Sequence, residues 1–501
     1  MKQVEKIKIH VILYKKKIKG KITMNLHKSN MTVLAQFVKC IPHKSVDNLQ
    51  KKHKIQTRSF SMNSQVISNM FMHLDHSLSL NDVCDNLQAH AGMLSQIRNA
   101  VPPSRNGLSH ANRTRNAQFA EDLFWEVYDH YRKTVPEFFT NGRKYPGFPI
   151  RLKKRKIVAF DSTTIQLTAN CIDWGQHRRR KAAAKMHTGL DLQSFLPNIA
   201  IVKSAKDSDP KTAPELCASL KSGEIAVFDK AYVDFKHLNT LDERGVIWVT
   251  RAKSNMLYKV VPPKTKVETT NSNTDSSIKV MGQHGVENGD LPNTSSMVLD
   301  SKTTQESHEH SKIEIMGQQA SITQEGTKKA RTNKPQDIEI LSNERIILTG
   351  TNTVKHYKKE LRLVKAKVKV KNKMVEMEFI TNNFIWSACT ICQLYQSRWG
   401  IEVFFKEIKQ TLQLTDFMGY NENAVKWQIW IGLLVYFLLR LIAWQNEWKH
   451  SFGRLYTLIR GVLLNYFKLE NVLEMCDKMG KTKKVHIRGT PSKAYQLLFD
   501  L

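Results

Sequence analysis

The chain is predicted to be an α/β protein in which a helical N-terminal region precedes a mixed sheet. Three observations carry this. Residues from about Met31 to Phe139 repeat apolar positions at helical spacing. From Lys153 onward short β-branched runs appear, first in a meander and then alternating with helical segments. Past residue 338 further alternating runs come before a strongly apolar helix.

In order, residues 1–30 form a Lys-rich leader without clear period, with Met24 and Met31 as alternative starts, and are expected to be disordered. "SLSLNDVCDNL" places Ser79 three residues before Asp82, a capping-box spacing, with Val83 and Leu87 at helical distance. "NAQFAEDLFWEVYDHY" carries Phe119, Leu123, Tyr128 and Tyr131 on one helical face. The intervening "PPSRNGLSHANRTRN" reads as a breaker-rich basic linker. "KRKIVAFDSTTIQL", "HTGLDLQ", "FLPNIAIVKS", "EIAVFDKAY" and "VIWVTRAK" read as strands, and "FKHLNTLDERG" as a helix. From Asn255 to about Asn343 the composition turns polar, with a local duplication matching Ile278 to Ile313, and it lacks the apolar area of a core. "ERIILTG", "KELRLVKAKVKV" and "MVEMEFITNN" alternate as strands, and Ala424–Trp444 is read as a buried core helix.

The charge narrows the function. Against 45 Asp+Glu stand 77 Lys+Arg, a formal net charge of +32, which favours a polyanionic partner, most simply nucleic acid. The seven cysteines are scattered, so no disulfide framework is implied. The pair Cys389 and Cys392 lacks the further ligands of a zinc site. The run Ile429 to Leu439 is too short to span a bilayer, and Arg440 ends it; no cleavable signal is evident, so an intracellular protein without a membrane is expected.

"YQSRWGIEVFFKEIKQ", residues 395–410, holds Tyr395, Arg398, Glu402 and Lys409 on one face at about 100° per residue. Leu394, Ile401, Phe405, Ile408 and Leu412 run beside them, whereas a solvated helix carries its charges opposite the apolar stripe. The pattern predicts a polar strip set in a cleft. Asp161 interrupts a strand and Asp229 ends another; each taken singly fits a cap or turn former. With Glu402 they make three isolated acids at the edges of apolar elements. Converging carboxylates are hard oxygen ligands suited to Mg²⁺ or Mn²⁺. Two such ions about 3.5–4 Å apart serve phosphodiester chemistry, so a nuclease or a strand-transfer enzyme is expected.

The segment fits Y-x2-R-x3-E-x6-K and resembles the signature of insertion-sequence-4-like DDE transposases of bacteria. "IVAFDSTTIQL" and "VFDKAYVDF" resemble that family's two aspartate motifs, and "WGQHRRRKAAAKMHTGLDLQSFLP", "NENAVKWQIWIGLLVYFLLR" and "PPSRNGLSHANRTRNAQFAEDLFW" are similar to its other segments. The resemblance implies a ribonuclease-H-like core, interrupted by a mainly β insertion and preceded by a helical DNA-binding domain. The implied division is 31–150 for that domain, 151–254 and 386–450 for the core, 255–385 for the insertion and 451–501 for a helical and basic tail. It implies Asp161, Asp229 and Glu402 as catalytic ligands of two Mg²⁺ or Mn²⁺ ions. Tyr395, Arg398, Lys409, Lys230 and Tyr232 become DNA-binding residues. The implied partners are double-stranded DNA, as inverted repeats and target, and a second copy of the chain on that DNA, in the bacterial cytoplasm at the nucleoid.

One departure is visible: "DKAY" stands where the family usually has Asp-Arg-Gly-Tyr, so Ala231 replaces a glycine that a positive φ would require. Trp248, Trp386 and Trp399 are equal candidates for a base-stacking side chain. The basic run Arg178, Arg179, Arg180, Lys181 and Lys185 fits either a DNA contact or a solvated face. His187 fits a ligand-orienting group or a satisfied structural histidine. An inactive transposase-derived DNA-binding protein and a general Mg²⁺ nuclease of the same fold stay open alongside the active transposase.

Overall fold

A computed structural model describes residues 28–140, 152, 155–167, 176–178, 181–204, 209–262, 338–370, 373–412, 414 and 417–479. The chain separates into a unit of Met1–Pro262 with Asp337–Leu501 and a unit of Pro263–Gln336, and the second lies outside the described residues. So do the basic leader up to residue 27, the polar duplication and the basic end beyond residue 479.

The described strands form one ten-stranded sheet. Strands β1 (Ile157–Leu167), β2 (Gln176–Arg178), β3 (Lys181–Asp191), β4 (Leu196–Ser204), β5 (Ile225–Phe228) and β6 (Ile247–Arg251) come first. β3 pairs antiparallel with both β1 and β4, whereas β5 runs parallel to β1 and to β6. The resulting order β4-β3-β1-β5-β6, three antiparallel strands followed by two parallel ones, is the ribonuclease-H-like arrangement. Strands β7 (Tyr258–Val261), β8 (Ile338–Leu348), β9 (Leu361–Val370) and β10 (Lys373–Thr381) prolong the same sheet. β10 pairs antiparallel with β6, then β9, β8 and β7 follow outward. The two ends of the polar stretch beginning at Asn255 are therefore strand: β7 pairs with the later part of β8, as Val260 with Ile346, and Ile338 to Asn343 of β8 pair with β9.

The N-terminal helices are α1 (Val33–Lys39), α2 (Ser45–Lys52), α3 (Met62–Asp75), α4 (Leu80–Ala89), α5 (Ala91–Ser95), α6 (Arg105–Thr114), α7 (Gln118–Thr134) and α8 (Pro136–Thr140). The capping box that opens α4 is formed by Ser79 and Asp82 as expected. The expected basic linker is instead mostly α6. Ser104 caps it by accepting from Gly107 N, and burial of Leu108 and Ala111 outweighs the interior glycine. Later come α9 (Asp209–Leu216), α10 (Phe235–Glu243), α11 (Thr351–His356), α12 (Ala388–Ser397), α13 (Trp399–Lys406), α14 (Glu422–Gln445), α15 (Phe452–Val462) and α16 (Leu469–Met479).

Helix α14 is the spine of the larger core. It is long and apolar enough by composition to cross a membrane, yet 89% of its most apolar window is buried inside the protein. Arg440 does not end it. The guanidinium is buried, paired with Glu407 and set over the rings of Phe195, Tyr436 and Phe452 at 4.7, 5.1 and 4.8 Å, so a charge persists inside the helix. Helices α3, α6 and α7 pack on α14, and Phe119 of α7 stacks on Trp427 at 5.6 Å. N-terminal helices and sheet therefore share one buried cluster.

Candidate active site

Asp161 owes its position to strand parity. Ile157, Ala159 and Ile165 of β1 point into the cluster that holds α12 to α14, while Val158 and Phe160 point into the one under α9 and α10. Asp161 has the first parity, so its carboxylate emerges beneath the α12–α13 segment. Phe160 lies across β3 at Gly189, where an added Cβ would stand 2.7 Å from the ring, so only glycine allows this approach.

Asp229 follows β5 and precedes a 3₁₀ turn, Lys230–Tyr232. Its side chain makes no capping hydrogen bond to that turn, which removes the structural reason for an aspartate there. Ala231 is absent from the described residues with positive φ, so the family's glycine is not needed for this backbone.

The polar strip is built differently from the straight helix expected. α12 ends at Ser397, Arg398 sits in a tight link, and α13 restarts at Trp399. Arg398 N donates to Tyr395 O at 3.1 Å and Ile401 N to Arg398 O at 2.9 Å, a three-residue spacing. A π-helical turn, Glu407–Thr411, then carries Lys409. The expected apolar flank is nonetheless intact, because Leu394, Ile401, Phe405, Ile408 and Leu412 are all buried.

These irregularities aim the side chains. Arg398 Nη1 donates to Asp161 Oδ2 at 2.7 Å, and Nη2 to Glu402 Oε1 at 2.6 Å. Tyr395 Oη donates to Asp229 Oδ1 at 3.4 Å, and the Arg398 guanidinium lies 5.6 Å from the Tyr395 ring centre. Lys409 Nζ donates to Thr164 O at 2.7 Å. Tyr395, Arg398, Asp161, Asp229 and Glu402 thus gather at one place, with Lys409 three residues further along β1. Lys230 is exposed at the rim. Tyr232 does not join them: it is 2% exposed and its hydroxyl lies 3.1 Å from His187 Nδ1, so the expected DNA contact gives way to a structural one.

Burial pushes the Asp161 carboxyl up to about 6, with Asp229 and Glu402 adding to the rise while Arg398 and the Ser162 N–H oppose it. Arg398 is held protonated, above its ordinary value: burial opposes the charge but Tyr395 and the three carboxylates outweigh it. Burial raises Tyr395 and lowers Lys409. Asp161 is therefore a buried carboxyl whose charge is held chiefly by the Arg398 guanidinium beside it. Among the described residues no three His, Cys, Asp or Glu side chains are grouped to hold an ion as they lie. The donor set itself fits a divalent cation, being all oxygen, and two of its members, Asp161 and Glu402, already share a cation in the form of Arg398.

Beneath the opposite face of β1 lies a cluster that sequence reasoning missed. Asp209 Oδ1 accepts from Ser162 Oγ at 2.8 Å and pairs with Lys185 Nζ at 3.0 Å, and His187 Nδ1 lies 3.5 Å away. His187 is thus structural and Lys185 is not on a solvated face. Asp209 carries no distinguishing pattern in "KDSDP"; only the period of β1 puts Ser162 opposite to Asp161. The side chains of Arg178–Lys181 lie outside the described residues. Of the three tryptophans, Trp248 is fully buried, Trp386 lies under Arg155 at 5.9 Å, and Trp399 is 57% exposed.

The transposase DDE domain matches residues 152–438, and a domain of unknown function, DUF4372, matches residues 29–97. A protein of Sinorhizobium fredii named as a transposase is 26% identical over 287 residues, 57% of this chain and 61% of that protein. A transposase named for insertion sequence element IS5377 of Geobacillus stearothermophilus is 22% identical, over 57% of this chain and 56% of that protein. One named for element IS4SA of a Synechocystis species is 19% identical, over 60% and 63%. The chain thus spans about three fifths of the length of these relatives. A solved piggyBac transposase synaptic complex with hairpin DNA aligns over 91% of this chain and 84% of that one, at 9% identity and a TM-score of 0.34, which carries no argument. With more than half its length matched by that domain, and with the Y-R-E-K and aspartate motifs in order, the chain belongs to the transposase DDE domain family of insertion-sequence transposases.

Proposed function

We propose that the protein cuts DNA at the ends of an insertion sequence and joins the freed 3′ ends to target DNA. The observation that carries this is that Asp161 of mid-β1 and Glu402 of α13 share the Arg398 guanidinium, while Asp229, just past β5, accepts from the Tyr395 hydroxyl one helical turn away from Arg398. In this reading Asp161, Asp229 and Glu402 hold two divalent ions. Such ions supply an activated oxygen nucleophile and stabilise the leaving oxygen.

The chain's own groups do the rest. Arg398 offers a planar fork for phosphate once it leaves Asp161 and Glu402, and it has no acid–base role because it stays protonated. Tyr395 donates a hydroxyl from a ring locked against Phe379 at 5.1 Å. Lys409 and Lys230 supply point charges at the two sides of the site. Residues 31–150 serve as a helical DNA-binding domain, 151–254 and 386–450 as the catalytic core, 255–385 as its insertion and 451–501 as a tail. Pairing two element ends calls for at least two copies on the DNA, in the bacterial cytoplasm.

The test is cleavage of a duplex carrying the inverted repeat that flanks the coding region, beside a scrambled duplex of equal length, with Mg²⁺ or Mn²⁺. The expected result is nicking confined to the repeat's end, followed by joining to a second DNA. Equal cutting of both duplexes would leave a general nuclease, and salt-sensitive binding without cutting an inactive derivative.

A further inference from the structure

From Asn86 to Ala120 the chain contains four arginines and no Asp or Glu. Two of the four are spent on the fold. Arg98 donates to Val38 O and Ile41 O, and Arg115 to Gln65 Oε1 and Phe60 O. The other two, Arg105 and Arg113, lie exposed on α6. At about 100° per residue, Arg105, Ser109 and Arg113 fall within roughly 80° of arc, with Asn106 and His110 beside them. Leu108 and Ala111 occupy the opposite, buried side. An exposed face with two guanidiniums, an amide, a hydroxyl and an imidazole, and no acid, is complementary to a polyanion.

That face borders a groove of about 630 Å³, to which Arg105, Asn106 and Ser109 contribute from α6 and Asn81 from α4. Gln166 of β1 and Tyr420, 60% exposed, close its other side, and among the described residues no acid lines it. Gln166 lies five residues along β1 from Asp161, about 17 Å at the rise of a strand. Lys409, bound at Thr164 O, stands between them. Lys409 therefore places a positive charge along β1 between the carboxylates and the groove that Arg105 borders, and the Tyr420 ring lines that groove.

We infer that this groove holds one strand of the element's terminal DNA as it leaves the scissile phosphate, with Arg105 on the backbone and Asn106, Ser109 and Gln166 at base edges. The inference rests on the proposed function and goes beyond it, because it gives α4, within the domain of unknown function, a place in the DNA site and assigns α6 the contact.

The test uses the full chain, with EDTA present to prevent turnover. Binding to the terminal-repeat duplex and to a scrambled duplex is followed by fluorescence anisotropy across a salt series. R105A is expected to lower the slope of log K against log salt by about 1 on either duplex. The double variant N106A/S109A is expected to reduce the preference for the repeat several-fold at unchanged slope. Matching circular dichroism melts establish that both variants fold. Slopes and preferences equal to the parent's in both variants overturn the groove. A parent without preference for its own repeat counts against the proposed function instead, and the slope of R105A still decides the groove.

Discussion

Asp161 shows how one residue's environment declares its use. A carboxylate in the middle of a β-strand costs several kcal/mol unless compensated, and the compensation found is a guanidinium shared with Glu402. The aspartates and Glu402 were legible in sequence because isolated acids interrupt apolar runs there. The burial of Tyr232 was not legible, because a motif position says nothing of burial and His187, the partner of its hydroxyl, lies far away in sequence. A second buried group, His73, gives a test at this scale. Its ring nitrogens lie 2.8 Å from Leu412 O and 2.9 Å from Gln428 O, and burial lowers its pKa to about 4 although both carbonyls favour protonation. A folded-state pKa below the ordinary 6.5 means that the stability is present above about pH 6.5 and lost as pH falls towards 4. The loss is on the order of 3 kcal/mol, from 1.36 kcal/mol per unit. His73→Gln keeps an amide donor for one of these carbonyls and does not titrate, so its urea midpoint is expected to fall less than the parent's between pH 7 and 4.5. Equal falls would show that His73 does not govern this window.

At the scale of elements, periodicity placed the strands of the core and the long helix close to where they lie, since alternation and helical spacing follow directly from which face is buried. It failed where backbone irregularity matters. The Arg398 link and the π turn at Glu407–Thr411 leave the apolar stripe unchanged, so nothing in the hydrophobic pattern records them. Their effect is on aim: Arg398 reaches both acids and Lys409 reaches β1. Helix α6 was hidden by its glycine and arginines, and is fixed from outside by α14. Asn423 ties this junction. Its Oδ1 accepts from Ala117 N at 2.8 Å, and its Nδ2 donates to Asn112 O at 3.0 Å and Arg115 O at 2.6 Å. Asn423→Ala removes these three bonds, although Arg115 O keeps the Trp427 indole N–H, and a loss of about 3 kcal/mol is expected from roughly 1 kcal/mol per bond. Chemical denaturation checks it; a loss below about 1 kcal/mol would mean that the junction is held by packing alone.

Among the described residues, sheet, long helix and N-terminal helices share one buried cluster, and the site lies where β1, the end of β5, α12 and α13 meet. β5 ends beside the middle of its parallel neighbour β1, with Phe228 in register with Phe160, which places Asp161 and Asp229 next to one another just past the paired stretch. Helices α12 and α13 lie over them through a shared apolar cluster and bring Glu402. The net charge of +32 suits a protein that wraps an anionic polymer. Overall charge and motif order were readable from sequence. The continuation of the sheet through β10 to β7 was not, because strand pairing between distant segments leaves no local trace. The central claim is that the three carboxylates act together on DNA where these elements meet. Its most direct test is Mg²⁺-dependent cleavage of terminal-repeat DNA by Glu402→Gln beside the parent. The account predicts cleavage lost by at least about three orders of magnitude, a barrier increase near 4 kcal/mol, with binding to the same DNA retained. Cleavage at the parent's rate would contradict it.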